Sequence, residues 1–481
     1  MRRGLLLLAF LAAAAAAGAA LYDAYAREQE FRTLVAAGAD AEAAGRPFEA
    51  LEAYSGAIAL KPDSMLGYLR RGLVYQKRGE AEAATRDLAR AVALDPAAIR
   101  AREALGDVAA AAGRFDRAAE HYAAYVAADD RSATVLYKLG LALYRAGRPG
   151  PAVESLERAV ALDRSLAEAT YLLGLCWRDL GRLPEARAAL ETASAAAPAS
   201  TAPREALAQL YEALGERRRA LDQLEALAAL DPGRPERHVA IGLAHARGGA
   251  HDAAVLALGR ALERFPDSPQ VYAALGRVWL AVADARGDRI ALGKAIEALT
   301  TAAAHPDATG ETLTNLGRAW ILAGDETAAE RTLRQAVERL PVPPDAYRDL
   351  AAIVERSGNL QGARDLLVRY AALVGDSRPV AGLQAHIADL NLRLGEPRRA
   401  VRWYERALDE AGPTPVLLAG LADAALQAGE LDRADRAVSD GLSLDPRNRA
   451  LQTLARRLAS IRRDADATDQ RAERAGRPPV Q

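Results

Sequence analysis

The sequence predicts an all-α chain, an array of about twelve helical hairpins with a capping helix at the C-terminal end, and two observations carry that reading. The first is a repeat. A glycine followed five residues later by an alanine occurs as Gly45/Ala50, Gly79/Ala84, Gly113/Ala118, Gly147/Ala152, Gly181/Ala186, Gly215/Ala220 and Gly249/Ala254, each pair 34 residues after the last. After a break the register resumes at Gly324/Ala329, Gly358/Ala363, Gly395/Ala400 and Gly429/Ala434. The second is composition. Of 481 residues 51% are hydrophobic but only 5% aromatic, so Ala and Leu carry the apolar fraction and favour helix over strand.

The elements follow in chain order. Met1-Arg2-Arg3 precedes an uncharged run from Gly4 to Tyr22, ended by Asp23. This is the pattern of an export signal, and residues 1–26 are read as either a cleaved signal peptide or a retained anchor. Ala17-Gly18-Ala19 and Ala24-Tyr25-Ala26 supply small-x-small sites for cleavage, while the run just reaches the length a membrane span needs. Arg2 and Arg3 keep the N-terminus cytoplasmic and place the rest of the chain outside, at the inner membrane through residues 4–22 if the leader is retained. No Cys follows the run, which excludes a lipidated leader.

The unit Met65 to Ala98 shows the local logic. Tyr68, Gly72 and Tyr75 lie at helical spacing, Lys77-Arg78-Gly79 stops the first helix, and Ala84, Leu88 and Ala91 mark a second. Glycine accepts the left-handed conformation just past a helix end, and a small alanine lets two helices approach. Leu94-Asp95-Pro96 closes the unit, because proline cannot continue a helix interior but suits the first turn of the next. The same stop recurs at Pro62, Pro198, Pro232, Pro266, Pro341 and Pro446.

Twelve such units start at Phe31, Met65, Ile99, Ala133, Ala167, Thr201, Pro235, Pro269, Gly310, Pro344, Ala381 and Pro415. Unit eight is about seven residues too long, with Ala283 to Asp288 inserted near its helix turn, and about three extra residues fall near Gly375-Asp376-Ser377; both are expected joints. The array is accordingly divided into 27–280 and 281–448. A capping helix at 449–463 carries Arg456, Arg457 and Arg462 on its exposed side, and the charged stretch 464–481, ending in Pro-Pro-Val-Gln, is expected to be disordered.

This spacing resembles the tetratricopeptide repeat. Unit five shows Leu173, Gly174, Trp177, Ala186, Leu190, Ala193 and Pro198 at signature positions, and unit eight opens with Tyr272, Leu275, Gly276 and Trp279. The resemblance implies a right-handed α-solenoid whose first helices line a concave groove that binds extended peptides or partner helices. The cytosolic chaperone-tail class of the family needs a Lys and an Asn on the first helix. Val35 and Ala39 occupy those places in unit one, so capture of chaperone carboxylate tails is not expected.

Charge and motifs narrow the function. With 63 basic and 64 acidic residues, the chain lacks the electrostatic footprint of a nucleic-acid binder. Gly287 to Lys294 resembles a phosphate loop, but five residues separate the glycines and Ala295 replaces the hydroxyl residue that would hold magnesium. Arg286-Gly287-Asp288, an adhesion tripeptide, reads as a polar loop tip. His238 and His245 share a helix face with His251 nearby, yet they occupy bulky signature positions and read as packing residues rather than metal ligands. Cys176, the single cysteine, has no His or Asp constellation around it and reads as a small apolar filler. Twelve hairpins leave no room for a separate catalytic domain, so the chain is read as non-enzymatic, with no cofactor, metal or small-molecule substrate expected.

The richest groove segment lies in units four and five, where Tyr137, Lys138, Leu141, Tyr144, Arg145, Tyr171, Leu175 and Arg178 fall at groove-facing spacing. Aromatic anchors beside guanidinium groups are the composition of binding hot spots. The alternative for each tyrosine is packing between repeats. Elsewhere the groove offers Glu205, Gln209 and Glu212, then Arg348 and Asp349. The resulting expectation is an exported or membrane-anchored scaffold that takes protein or peptide ligands while assembling a bacterial envelope machine. Polysaccharide export, pilus or secretion assembly and cytochrome maturation are the types considered. The alternatives are a regulatory or sensor module that relays a signalling peptide to a membrane partner, and an array fused to a transferase, against which the absence of a non-repeat domain argues.

Overall fold

The computed structural model describes residues 2–375 and 380–475, and among them no strand occurs. The helices form sequential antiparallel pairs. The first six pairs are α1 (Arg2–Ala43) with α2 (Pro47–Leu60), α3 (Met65–Lys77) with α4 (Ala81–Leu94), α5 (Ile99–Ala111) with α6 (Phe115–Val126), α7 (Ala133–Arg145) with α8 (Pro149–Leu162), α9 (Ala167–Asp179) with α10 (Leu183–Ala196), and α11 (Ala202–Ala213) with α12 (Arg217–Leu230). The next three are α13 (Pro235–Arg247) with α14 (His251–Arg264), α15 (Pro269–Arg286) with α16 (Arg289–Ala303), and α17 (Gly310–Ala323) with α18 (Glu326–Ala336). Then follow α19 (Pro344–Arg356) with α20 (Leu360–Val374), α21 (Ala381–Arg393) with α22 (Pro397–Ala411), α23 (Pro415–Ala428) with α24 (Leu431–Leu444), and the single helix α25 (Arg449–Ala475). Every opening helix but the first and the sixth starts at the residue the repeat period sets.

The turn inside each pair is built as the sequence requires. Every glycine of the eleven Gly/Ala pairs has a positive φ, between 67° at Gly45 and 87° at Gly358. At the α7 end the Gly147 N–H donates to the Tyr144 carbonyl at 3.0 Å and the Arg148 N–H to the Leu143 carbonyl at 2.9 Å. This is the two-bond closure that satisfies carbonyls left over at a helix C-terminus. The partner alanines are the contact points of the second helices: Ala50, Ala84, Ala118, Ala152 and Ala186 are all fully buried.

The Asp-Pro stops act differently from the expectation. Pro96 sits between helices rather than in the first turn of α5, where the Asp95 carboxylate accepts from the Ala97 N–H at 2.9 Å and the Asp95 carbonyl from the Ala98 N–H at 3.0 Å. It is the second residue of a tight turn, which its fixed φ suits as well as a helix start. Prolines in the first helical turn do occur at Pro235, Pro269, Pro344 and Pro415.

A second regularity sets the helix separation within seven of the pairs. A glycine of the first helix faces a Leu or Tyr sixteen residues later on the second, as in Gly72/Leu88, Gly106/Tyr122, Gly140/Leu156, Gly174/Leu190, Gly242/Leu258 and Gly317/Leu333. A Cβ on Gly106 would lie 2.4 Å from the Tyr122 ring. Where the knob is a tyrosine, its hydroxyl finds a carboxylate on the first helix: Tyr54 donates to Glu42 at 2.8 Å and Tyr122 to Asp107 at 2.7 Å. Each buried phenol thereby keeps a hydrogen-bond partner.

The chain divides into two compact units, Met1–Asp231 and Pro232–Gln481, each holding six pairs, whereas the sequence places the division at 280/281. The insertion at Ala283 to Asp288 makes no loose joint. It lengthens α15 to 18 residues, Gly287 ends the helix in the left-handed conformation, and Val282, Ala283 and Ala291 are buried together. The expected joint at Gly375-Asp376-Ser377 falls largely outside the described residues. Within each unit the apolar core is a chain of local clusters, each spanning neighbouring pairs, as stacked repeats require. In the second unit Leu451 and Leu458 of α25 bury themselves against Leu418, Leu421 and Val438 of the last pair.

Two end segments depart from the sequence reading. The terminal helix continues through Ala475, past its expected end at 463, because Asp464 to Ala475 holds no glycine or proline and helix-forming Ala, Arg, Gln and Glu make up most of it. Of the stretch expected to be disordered, residues 476–481 lie outside the described residues. At the other end, α1 runs unbroken from Arg2 to Ala43, so the apolar run and the first helix of unit one are a single helix. The side chains of residues 1–10, 12 and 13 lie outside the described residues; among those described, no helix is long and apolar enough to cross a membrane.

Candidate peptide-binding face

First helices of consecutive pairs adjoin one another, α3 beside α5, α7 beside α9 and α9 beside α11. Residues about 34 positions apart therefore meet on one face, and polar side chains tie the pairs across it. Lys77 reaches Glu42 at 3.0 Å, and Lys138 reaches both Glu103 and Asp107 at 2.8 Å. The Tyr144 hydroxyl donates to Asp179 at 2.9 Å. In the second unit Arg277 pairs with Glu311 at 2.8 Å, and Arg318 bridges Asp345 at 2.8 Å and Asp349 at 2.5 Å. Arg348 also reaches Asp349 at 2.9 Å, so the Arg348 and Asp349 of the sequence reading form part of this network.

The eight candidate residues separate into distinct roles. Tyr137, Leu141, Tyr144 and Leu175 are half-buried against the core that runs from α5 to α9, and Tyr171 and Leu175 against the next core. Burial raises the Tyr137 phenol above its ordinary value, Glu168 adds to the rise and Arg145 opposes it. Burial likewise raises Tyr144, helped by its hydrogen bond to Asp179, and Tyr171, there against the Arg178 charge. These phenols stay neutral and act as apolar rings with a hydrogen-bonding tip. For Lys138 burial opposes the ammonium, but the hydrogen bonds it donates to Asp107 and Glu103, with their negative charges, outweigh it and hold the group above its usual value. Its charge is neutralised within the chain. Arg178 contacts Asp179 at 2.9 Å, and Arg145 is exposed.

The structure thus brings Tyr144, Asp179 and Arg178 together, and sets Tyr137 near Arg145. The sequence reading omitted Glu103, Asp107 and Asp179, the acids that orient this face. Trp177, read as a signature position, packs partly buried against both cores, with the Arg182 guanidinium 3.9 Å over its ring. Complementary residues spaced 35 apart, Glu42/Lys77 and Glu103/Lys138, were the signal that would have found the ties.

The other motifs settle into structural positions. The Asp288 carboxylate caps α16, accepting from the Ile290 N–H at 2.8 Å and the Ala291 N–H at 3.1 Å, and the Lys294 ammonium lies 4.5 Å from the Trp279 ring centre. Neither side chain is presented as a phosphate or adhesion ligand. His238 packs against Phe265 with ring centres 5.5 Å apart. Among the described residues no three His, Cys, Asp or Glu side chains converge as a metal site. Burial, aided by Asp179, pushes the Cys176 thiol up to about 12, which leaves it protonated and unreactive at neutral pH.

Stacked helical pairs whose opening helices share a face define a protein of the recognition-solenoid class. The chain belongs to the tetratricopeptide repeat family, whose model matches residues 69–133, 137–201, 205–269 and 323–378, together more than half of the chain. No curated protein matches it significantly. Similar solved structures include YrrB, a tetratricopeptide protein with an unusual peptide-binding site (23% identity, 38% of this chain, 95% of that chain, TM-score 0.36). MamA matches at 32% identity over 34% of this chain and 95% of its own, TM-score 0.32, and yeast Tom70 at 15% over 91% and 97%, TM-score 0.36.

Proposed function

We propose that this protein is a non-catalytic, exported or membrane-anchored scaffold that captures an extended peptide or partner helix on the first-helix face of α7 and α9, in the assembly of a bacterial envelope machine. The observation that carries the binding site is the Tyr144–Asp179–Arg178 cluster beside Tyr137 and Arg145. Half-buried rings there offer apolar area at little entropic cost, and Arg145 leaves an exposed guanidinium for an acidic or backbone acceptor. Membership of a family of interaction modules supports a protein ligand; a catalytic role has no group to support it on this face. The test is capture from detergent-solubilised envelopes. Tyr137→Ala, Tyr144→Ala and Arg178→Ala together should abolish recovery of partners while the circular dichroism of the array is kept, and unchanged recovery discards this face.

Export rests on the run from Gly4 to Tyr22 behind Arg2 and Arg3. Cleavage and retention both leave the first pair intact, since its packing begins at the buried Phe31 and its Glu28–Lys61 ion pair also lies beyond Ala26. A phosphatase that folds only outside the cytoplasm, fused after Gln481, should be active in cells; an inactive fusion overturns the assignment.

A further inference from the structure

A second site lies away from the proposed peptide face, in a cleft between α4, α5 and α6. The cavity measures about 360 Å³ and is lined by Arg86, Arg114, Arg117 and His121 over a floor that includes Leu105 and Val108. Its one acid is Glu82. The three guanidinium groups are exposed, and among the described residues none of them makes a hydrogen bond or ion pair. His121 is half-buried; burial pushes its imidazole below the ordinary value, and the Arg102 and Arg117 charges add to this against Glu120. The N-terminal turns of α4 and α6 open on the same cleft through Ala81 and Arg114, adding the positive ends of two helices.

The repeat supplies its own control. The equivalent cleft one unit on, between α6, α7 and α8, has about 400 Å³ and is made by the same packing. There, 34 residues later, Glu120 replaces Arg86, Pro151 replaces Arg117 and Ser155 replaces His121. Two arginines face three carboxylates in that cleft, whereas three arginines face one carboxylate in the first. The cavity is a product of the fold, but its charge belongs to this unit alone of the two. Packing gives no reason for three like charges to be gathered around one cavity, where they repel one another.

We propose that this cleft binds the phosphate group of a phosphate monoester. An excess of two positive charges balances a monoester dianion of about −1.5 to −2, and guanidinium forks match its oxygens two at a time. The volume exceeds what a phosphate needs, and the Leu105–Val108 floor accommodates the carbon skeleton attached to it. A soluble metabolite and the headgroup of phosphatidic acid both present this chemistry.

The experiment uses the full chain with two probes: glycerol 3-phosphate by titration calorimetry, and phosphatidylcholine vesicles with and without phosphatidic acid by co-sedimentation. Binding of glycerol 3-phosphate identifies a soluble ligand, and sedimentation enhanced by phosphatidic acid without calorimetric binding identifies a lipid headgroup. In either case Arg86→Glu with Arg117→Ala should lower the affinity at least tenfold, Arg86→Ala alone should weaken it measurably, and Arg148→Ala in the neighbouring cleft should leave it unchanged. Vesicle binding through residues 2–22, with Arg2 and Arg3 favouring the anionic surface, is common to all variants, so it cancels when the variants are compared on the same vesicles. Absence of binding to both probes, or binding that survives the double variant with its circular dichroism intact, overturns the proposal.

Discussion

Gly140→Ala is expected to destabilise the first unit by about 1–3 kcal/mol, although alanine is the better helix former at an interior position. The reason is the Leu156 side chain. A Cβ at 140 would sit 2.6 Å from the Leu156 Cγ, and Leu156 is fully buried and has no free volume into which to move. Leu156→Ala alone should cost about 3–4 kcal/mol, through lost burial and the cavity left behind. The two losses should not add. With Leu156 truncated the new methyl group enters the vacated space, so Gly140→Ala in that background should cost well under 1 kcal/mol or become favourable. Urea midpoints of the four chains, with amide exchange of α7 and α8 as a local readout, measure the coupling. A full penalty in the truncated background would mean that contact between these helices is not set by this pair. Gly150→Ala, whose Cβ would meet nothing within 4 Å, serves as a control and should be neutral or slightly stabilising.

The second large effect is expected at Asp87. Its carboxylate accepts from Arg71 Nε at 2.6 Å and from a terminal guanidinium nitrogen at 2.9 Å, while the other terminal nitrogen donates to the Ser55 hydroxyl at 3.1 Å. One side chain therefore joins α2, α3 and α4. The hydrogen bonds that Arg71 donates to Asp87 raise the guanidinium above its ordinary value against the effect of burial. Asp87→Ala strands that cation in a largely buried place and should cost about 2–3 kcal/mol. Replacing both partners, Asp87→Leu with Arg71→Met, should recover most of the loss, because no uncompensated charge then remains. Urea denaturation of the single and double variants checks this. Equal destabilisation of both would assign the effect to packing volume instead of charge.

The candidate face was partly legible in the sequence. Spacing placed Tyr137, Tyr144, Tyr171 and Arg178 on opening helices, because a helical period of 3.6 fixes which side chains share a side. It did not show that Lys138 is neutralised by Glu103 and Asp107, or that Asp179 joins Tyr144 to Arg178. Those partners lie on another helix some 30 residues away, and their meeting depends on how closely the pairs stack. The same limit explains the insertion at Ala283 to Asp288. Its length announced an interruption, but whether the extra residues formed a loop or lengthened α15 depended on apolar contacts of Val282 and Ala283 with the facing helix.

By itself the sequence determined the number of helical pairs, the residue at which nearly every opening helix starts, the left-handed glycine at each turn and the small alanine after it. These are local properties, settled by backbone sterics and contacts within a few residues, and the 34-residue repetition states them many times over. Only the tertiary structure decided which glycine receives which leucine, where the chain divides, which charges cancel, and that Arg86, Arg114 and Arg117 gather at one cleft. Each of these depends on the distance between helices, which is set by many packed side chains at once and is carried by no short stretch of sequence.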